Sequence, residues 1–301
     1  MPRPFLAPRD GVEDIPHDDA SKLLDALSPR CHALWEGKSS SWIYRGQANA
    51  EWELKPGAVR DRHLFARYGI DDSFAKSRDY SDSAQEWPIR TELERRLLGQ
   101  FREGLDRSGL TIPSRPPRVD PSELQEVSSL AEPLREAFPL LALAQHHGLP
   151  TSLLDWTRRA WVAAYFAAAE AAAEDPKGGA AYLAVWALHR APSLQESQRQ
   201  FFYEAPGGTN PNLQAQAGLF TSHYSVGELS LEQYLVSMNN NAKGSPSLRR
   251  LTLPTREAPR LLRLLAEEGI DGASMFPGPA GVVRAMRERT LWDTQCYRRT
   301  R

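Results

Sequence analysis

Short, nearly unbroken apolar runs mark buried strands along this chain, and apolar positions three or four residues apart mark its helices. Trp42-Ile43-Tyr44, aromatic and β-branched, reads as a buried strand, and Ala180 to Leu188 (AAYLAVWAL) reads as another. Asn212 to Thr221 suits a third strand, with Gly218 marking a bulge or a close contact. Helical spacing places Leu23, Leu24, Leu27, Leu34 and Trp35 behind a cap at Asp18 or Asp19, and Trp87, Leu93, Leu97, Leu98 and Phe101 inside a charged helix from Gln85 to Leu105. A further helix runs from Ala258 to Glu268 and stops at Gly269.

The most informative stretch is Leu141 to Ala169, LALAQHHGLPTSLLDWTRRAWVAAYFAAA. Pro139 suits the first turn of a helix carried by Leu140 to Gln145, and Gly148 followed by Pro150 ends it, so His146 and His147 fall on the last turn. A second helix is expected to start near Asp155 or Thr157, either of which can accept a bond from a free N–H. Trp161, Val162, Tyr165, Phe166 and Ala169 supply its buried face.

These elements predict an α+β fold, a central mixed or antiparallel sheet flanked by helices. Met1 to Pro16 reads as a loosely held arm. TIPSRPPRVDPSEL, with its prolines, breaks regular structure, and Ser274 to Gly281 reads as a Pro/Gly loop before a last, basic helical segment.

Composition narrows the class. Hydrophobic residues at 41% and charged residues at 25% suit a folded globular chain. The first residues lack an apolar signal core, and no stretch approaches the roughly 20 apolar residues needed to span a bilayer, which points to the cytoplasm and away from a membrane. Cys31 and Cys296 stand alone, without the spacing of a zinc site, and no metal is expected. The net charge of −1 argues against a general nucleic-acid binder. From Ala242 onward, however, twelve Lys or Arg stand against six Asp or Glu, a basic segment that could contact a protein or nucleic-acid partner. Solvated helix faces explain the same excess.

Candidate chemistry gathers in two places. Arg45 follows the Trp42-Ile43-Tyr44 run directly and needs a partner, because an unpaired buried charge is costly. That partner is a carboxylate of the protein or an anion of a ligand. Gly46 lets another group approach the backbone, and Gln47 adds a donor and an acceptor. The second place is the polar connection after Gln145, with His146, His147, Thr151, Ser152 and Asp155. A helix-end role explains the histidines and a helix cap explains Asp155 as readily as chemistry does. There is no Gly-x-Ser-x-Gly elbow, no i, i+4 histidine pair for a metal, and no phosphate-binding glycine loop of the common types.

Tyr44-Arg45-Gly46-Gln47, then Glu51-Trp52, Leu54, Pro56 and Arg60, then Ala144 to Thr151 (AQHHGLPT) with Leu153-Leu154-Asp155-Trp156-Thr157, together resemble the FRG domain. The likeness continues through Tyr165-Phe166-Ala167, Asn212 and Gln216-x-Gly218-x-Phe220, and more weakly to Met275-Phe276-Pro277. It departs at Ser152, where Arg is more usual, and at Gly278 to Ala280, where the family favours an acidic residue. On this resemblance the chain divides into an arm and helix at 1–38, an FRG core at 39–235 and a helical extension at 236–301. The order of parts is also similar to ADP-ribosyltransferases of the Arg-Ser-Glu type, with Gln214 and Gln216 where a late glutamate would stand.

That second similarity implies an ADP-ribosyltransferase-like fold and an NAD-binding transferase or glycohydrolase, a toxin or phage-defence effector with NAD as substrate. Tyr44, Arg45, Gly46, Gln47, Thr151, Ser152 and Asp155 would then bind the dinucleotide, and His146 or His147 with Gln216 would serve the reaction. A glutamine can orient a hydroxyl but cannot act as a base near neutral pH. The same cleft on a non-catalytic module would recognise a nucleotide or a protein segment.

Overall fold

The apolar run after Ala180 forms β4 (Tyr182–His189), whose inner six residues are all buried because helices cover both of its faces. The structure, a computed structural model, describes residues 9–31, 34–35, 41–60, 62–70, 86–113, 131–173, 179–190, 202–204, 211–222, 229–239 and 248–299. In chain order these form β1 (Val12–Pro16), α1 (Ala20–Leu27), β2 (Trp42–Gln47), α2 (Gly57–Arg60), a 3-10 turn (Arg62–Tyr68), α3 (Glu86–Arg107) and α4 (Ala131–His146). There follow β3 (Leu153–Thr157), α5 (Ala160–Ala173), β4, β5 (Phe202–Tyr203), α6 (Pro211–Ala215), β6 (Gly218–Ser222), α7 (Leu231–Asn239), β7 (Leu248–Pro254), α8 (Ala258–Glu267), α9 (Gly272–Met275) and α10 (Pro279–Arg299). The fold is α+β, as the pattern predicted.

One mixed sheet runs in the order β1-β7-β4-β2-β3-β6-β5, with β1 parallel to β7 and the other neighbours antiparallel. Alternation along the strands builds two cores. Trp42, Tyr44, Leu183, Val185, Leu251 and Leu253 pack with α1, α5 and α8, while Ile43, Leu154, Trp156, Trp186, Leu188 and Leu219 pack with Leu231 and Leu235 of α7. A third cluster joins Leu98 of α3 and Phe138, Leu140 and Leu141 of α4 to Leu153 and Phe220. The helix α5 lies directly on β2: a Cβ at Gly46 would stand 2.0 Å from the Ala163 carbonyl oxygen, which explains the glycine there.

The two halves of the sheet barely join. Strands β2 and β3 share one pair, Tyr44↔Thr157, and diverge from there: Arg45 to Gln47 pair with β4, and Leu153 to Trp156 pair with β6.

Several elements differ from the pattern's prediction. Residues Leu153–Thr157 are a strand, and the second central helix starts only at Ala160. Asp155 therefore caps nothing, whereas Thr157 Oγ1 does accept from Arg159 N (3.0 Å) in the turn before α5. Pro139 lies inside α4, eight residues after its start at Ala131, and the helix continues through it because Phe138, Leu140, Leu141 and Ala144 are buried as one face. The helix α1 ends at Leu27, short of Trp35. Asn212 belongs to α6, and the strand begins at Gly218, whose missing Cβ accommodates Leu213. Ser274 sits within α9, held by a reciprocal cap with Asp271. Within the arm, Val12–Pro16 is a strand, and β7 follows the expected core, so the sheet takes strands from both terminal segments. Most of the proline-rich TIPSRPPRVDPSEL segment lies outside the described residues.

Candidate functional site

Where β2 and β3 part, a cavity of about 250 Å³ opens, lined by Arg45, Pro56, Gly57, Arg60, Gln145, Leu149, Pro150, Thr151, Leu153, Leu154 and Asp155. Arg45 leaves β2 on the face of Ile43 and opposite Trp186, and Asp155 alternates with Leu154 and Trp156 of that same core. The guanidinium thus reaches across the gap. Its Nη1 donates to the Asp155 carbonyl (2.9 Å) and stands 3.8 Å from the Asp155 carboxylate, which is 61% exposed against 14% for the arginine side chain. The Arg45 Nε is buried and has no hydrogen-bond partner among the described residues. Burial pulls this guanidinium down to about 10, with Asp155 opposing and the nearby Arg60 cation adding to the shift. It remains a cation at neutral pH.

The opposite wall is α2 with the segment before it. Arg60 is exposed, and its Nε donates to the Lys55 carbonyl (2.7 Å). The Ala58 N–H donates to the Thr151 carbonyl (3.1 Å), joining this wall to the Pro150–Asp155 wall. Thr151 Oγ1 donates to Gln145 Oε1, and the same oxygen accepts from Leu153 N (3.3 Å). Two guanidinium groups, one carboxylate and a threonine–glutamine pair share one small cleft with apolar sides, a set that suits a ligand with an anionic end.

The residues expected at the site divide accordingly. Arg45, Thr151 and Asp155 line the cavity. Tyr44 points to the other face of the sheet, edge-on to Trp35 at 5.3 Å, and Gly46 is pressed against α5. Gln47 is buried and accepts from Trp186 Nε1 (2.7 Å), so its amide belongs to the core. Ser152 is buried too, and its N–H donates to Glu94 Oε1 (2.6 Å). The histidines are exposed at the end of α4, 5.2 Å apart, with His147 beside Phe101; neither lines the cavity. Partial burial and then the neighbouring His147 lower His146 below the ordinary histidine range. Gln216 is likewise outside the lining: its Nε2 donates to the Met275 carbonyl (3.0 Å) and its carbonyl accepts from Thr157 Oγ1 (2.6 Å). Arg60 and Gln145 were not expected at the site, although both stand inside the quoted motif segments.

Among the described residues, five arginines of the basic C-terminal excess are engaged within the fold. Arg249, Arg250, Arg260, Arg263 and Arg284 pair with Glu13, Asp14, Asp19, Glu267 and Glu288, while Arg287 and Arg289 on α10 are exposed. Among the described residues no cluster of three or more His, Cys, Asp or Glu could hold a metal ion, and no helix is long and apolar enough to cross a membrane.

With Asp155 in mid-strand, Asp155→Ala removes a long, solvent-facing ion pair and leaves the start of α5 intact. Its expected cost is below about 1 kcal/mol, measured by urea unfolding. A loss several times larger would show that the carboxylate holds the two half-sheets together.

No curated protein and no solved structure matches the chain. Residues 40–176 match the family model of the FRG domain, a span that contains β2, β3 and every described residue that lines the cavity.

Proposed function

We propose that the cavity between β2 and β3 is a binding site for a phosphate-bearing nucleotide, with NAD as the candidate ligand. The observation that carries this reading is the incomplete coordination of Arg45. Its carboxylate partner Asp155 lies 3.8 Å away and faces solvent, one nitrogen bonds a backbone carbonyl, and its Nε has no partner among the described residues. A cation so placed beside a second guanidinium gains most from a bridging anion, since phosphate oxygens accept from both. Arg45 and Arg60 would take the phosphates, Thr151 and Gln145 would meet hydroxyl or amide groups, and Leu149, Leu153 and Leu154 would flank a ring.

A second reading is cleavage of NAD by an ADP-ribosyltransferase-like or glycohydrolase activity, in a toxin or phage-defence effector. It is favoured by Asp155, the one carboxylate among the described lining residues. As the bond between ribose and nicotinamide breaks, that carboxylate would stabilise positive charge on the ribose, and neutral nicotinamide would leave as the oxygen of water or an acceptor hydroxyl bonds the ribose carbon and gives up its proton to solvent. Binding alone asks less of the site, because His146, His147 and Gln216 stand outside the lining. Exposed Arg287 and Arg289 would be the contact for a protein or nucleic-acid acceptor.

Titration calorimetry with NAD, ADP-ribose and inorganic pyrophosphate tests the first reading, and nicotinamide release tests the second. Binding of all three ligands without release is expected for a binding module, and release abolished by Asp155→Ala is expected for the enzyme. No binding of any of the three would end the nucleotide reading.

A further inference from the structure

Helix α3 carries two charged side chains, one turn apart, that hold the two walls of the cavity from behind. Arg90 Nη1 donates to the Ala58 carbonyl (3.1 Å), in the short helix that presents Arg60. Glu94, buried at 2% exposure, accepts from the Ser152 N–H (2.6 Å), directly after Thr151. Between these anchors the Ala58 N–H donates to the Thr151 carbonyl (3.1 Å). Both walls are thus tied to each other and to one rigid element, itself packed through Ile89, Leu93 and Leu97 against Ala58 and Phe65. Arg90, Glu94, Ala58 and Ser152 all stand outside the lining, yet their three hydrogen bonds together fix how far Arg60 and Thr151 stand from Arg45 across it.

We infer that Glu94 and Arg90 are positioning residues for the anion site. This inference rests on the nucleotide reading and extends it to the layer beneath the lining. The chemistry required of Glu94 is an acceptor for the Ser152 amide. Glutamine keeps that acceptor without the charge, and alanine removes it and leaves the amide unsatisfied. If the bond positions the wall, Glu94→Gln keeps affinity and Glu94→Ala loses it, because a shift of about 1 Å in a binding group can cost up to about 100-fold.

The test is calorimetric titration of inorganic pyrophosphate and NAD into wild type, Glu94→Ala, Glu94→Gln and Arg90→Met, at a temperature where thermal melts show each protein folded. The expected result is affinity within about threefold of wild type for Glu94→Gln and a loss of about tenfold or more for Glu94→Ala and Arg90→Met. Glu94→Ala that melts earlier but binds as wild type would make Glu94 merely structural and overturn the inference. Equal losses in the glutamine and alanine variants would overturn it as well, since the charge and not the bond to Ser152 would then matter. If Glu94→Ala does not fold, Arg90→Met decides: weakened binding supports the inference and unchanged binding removes it. Failure of wild type to bind either probe removes the nucleotide reading and this inference with it, whereas wild-type binding with unchanged variants removes the inference alone.

Discussion

Asp14→Ala is expected to destabilise the fold by about 3–5 kcal/mol, the range for breaking a buried ion pair from one side. Arg250 of β7 is fully buried, and its Nε and Nη2 bond the Asp14 carboxylate at 2.6 and 3.0 Å. Its Nη1 donates to the Ala50 carbonyl (2.9 Å), and its guanidinium lies 5.6 Å from the Trp186 ring centre. Removing the carboxylate keeps the buried cation and takes away the group that two of its nitrogens bond. Arg250→Met should cost less, because an apolar side chain of similar length takes the buried space and the stranded Asp14, about one-third exposed, can turn to water. The order of the two midpoints in urea is the decisive measurement. Asp14→Ala unfolding at the same urea concentration as wild type would show that the pair contributes little and that β1 is held by its backbone ladder.

That pair also shows why parts of the fold were hidden in the sequence. The strand β1 reads Val-Glu-Asp-Ile-Pro, with no apolar alternation to signal it, because its acidic residues face Arg249 and Arg250 in register. The partners are more than 230 positions apart, so neither segment signals a strand without the other. Where burial was two-sided the strands were legible, as in β2 and β4. The same two-sided burial concealed β3: Leu153, Leu154, Trp156 and Thr157 are all buried, and a short apolar run of this kind fits a helix start as well as a strand. Its polar Asp155 then imitated a cap.

At the site, residue type was legible and direction was not. The demand that Arg45 find a partner followed from its place after an apolar strand, and it does line the cavity. Gln47 is two residues further along the same strand, yet its carbonyl oxygen is taken by the indole of Trp186, a contact between residues 139 positions apart. The density of polar groups around His146 suggested a site, but Gly148 (φ +82) turns the chain beyond α4, and the two imidazoles are left exposed while Gln145 and Thr151 line the cleft. Arg60 closes a motif segment whose Pro56 lines the same wall, so its place at the site follows from its neighbour along the chain.

Arg45→Ala and Arg45→Lys are both expected to lower affinity for pyrophosphate and NAD by more than about tenfold, the consequence of losing a charged, bidentate contact of about 2–5 kcal/mol. Lysine preserves the charge but offers a point donor in place of a planar fork, so near-equal losses in the two variants would identify geometry as the requirement. Stability should change far less than affinity. The alanine variant gives up one charged bond to the Asp155 carbonyl, worth about 1.5–3 kcal/mol where it is fully formed. It also relieves the burial that pulls the guanidinium down to about 10 and leaves an Asp155 carboxylate already 61% exposed. The net cost in urea unfolding is expected below about 2 kcal/mol. Affinity should also fall as pH rises through about 10, because the depressed guanidinium is the group that must be charged to hold the anion. A destabilisation of about 3–5 kcal/mol, with the remaining folded protein binding pyrophosphate as wild type does, would make Arg45 the clasp between the two half-sheets and leave the cavity without its anion anchor.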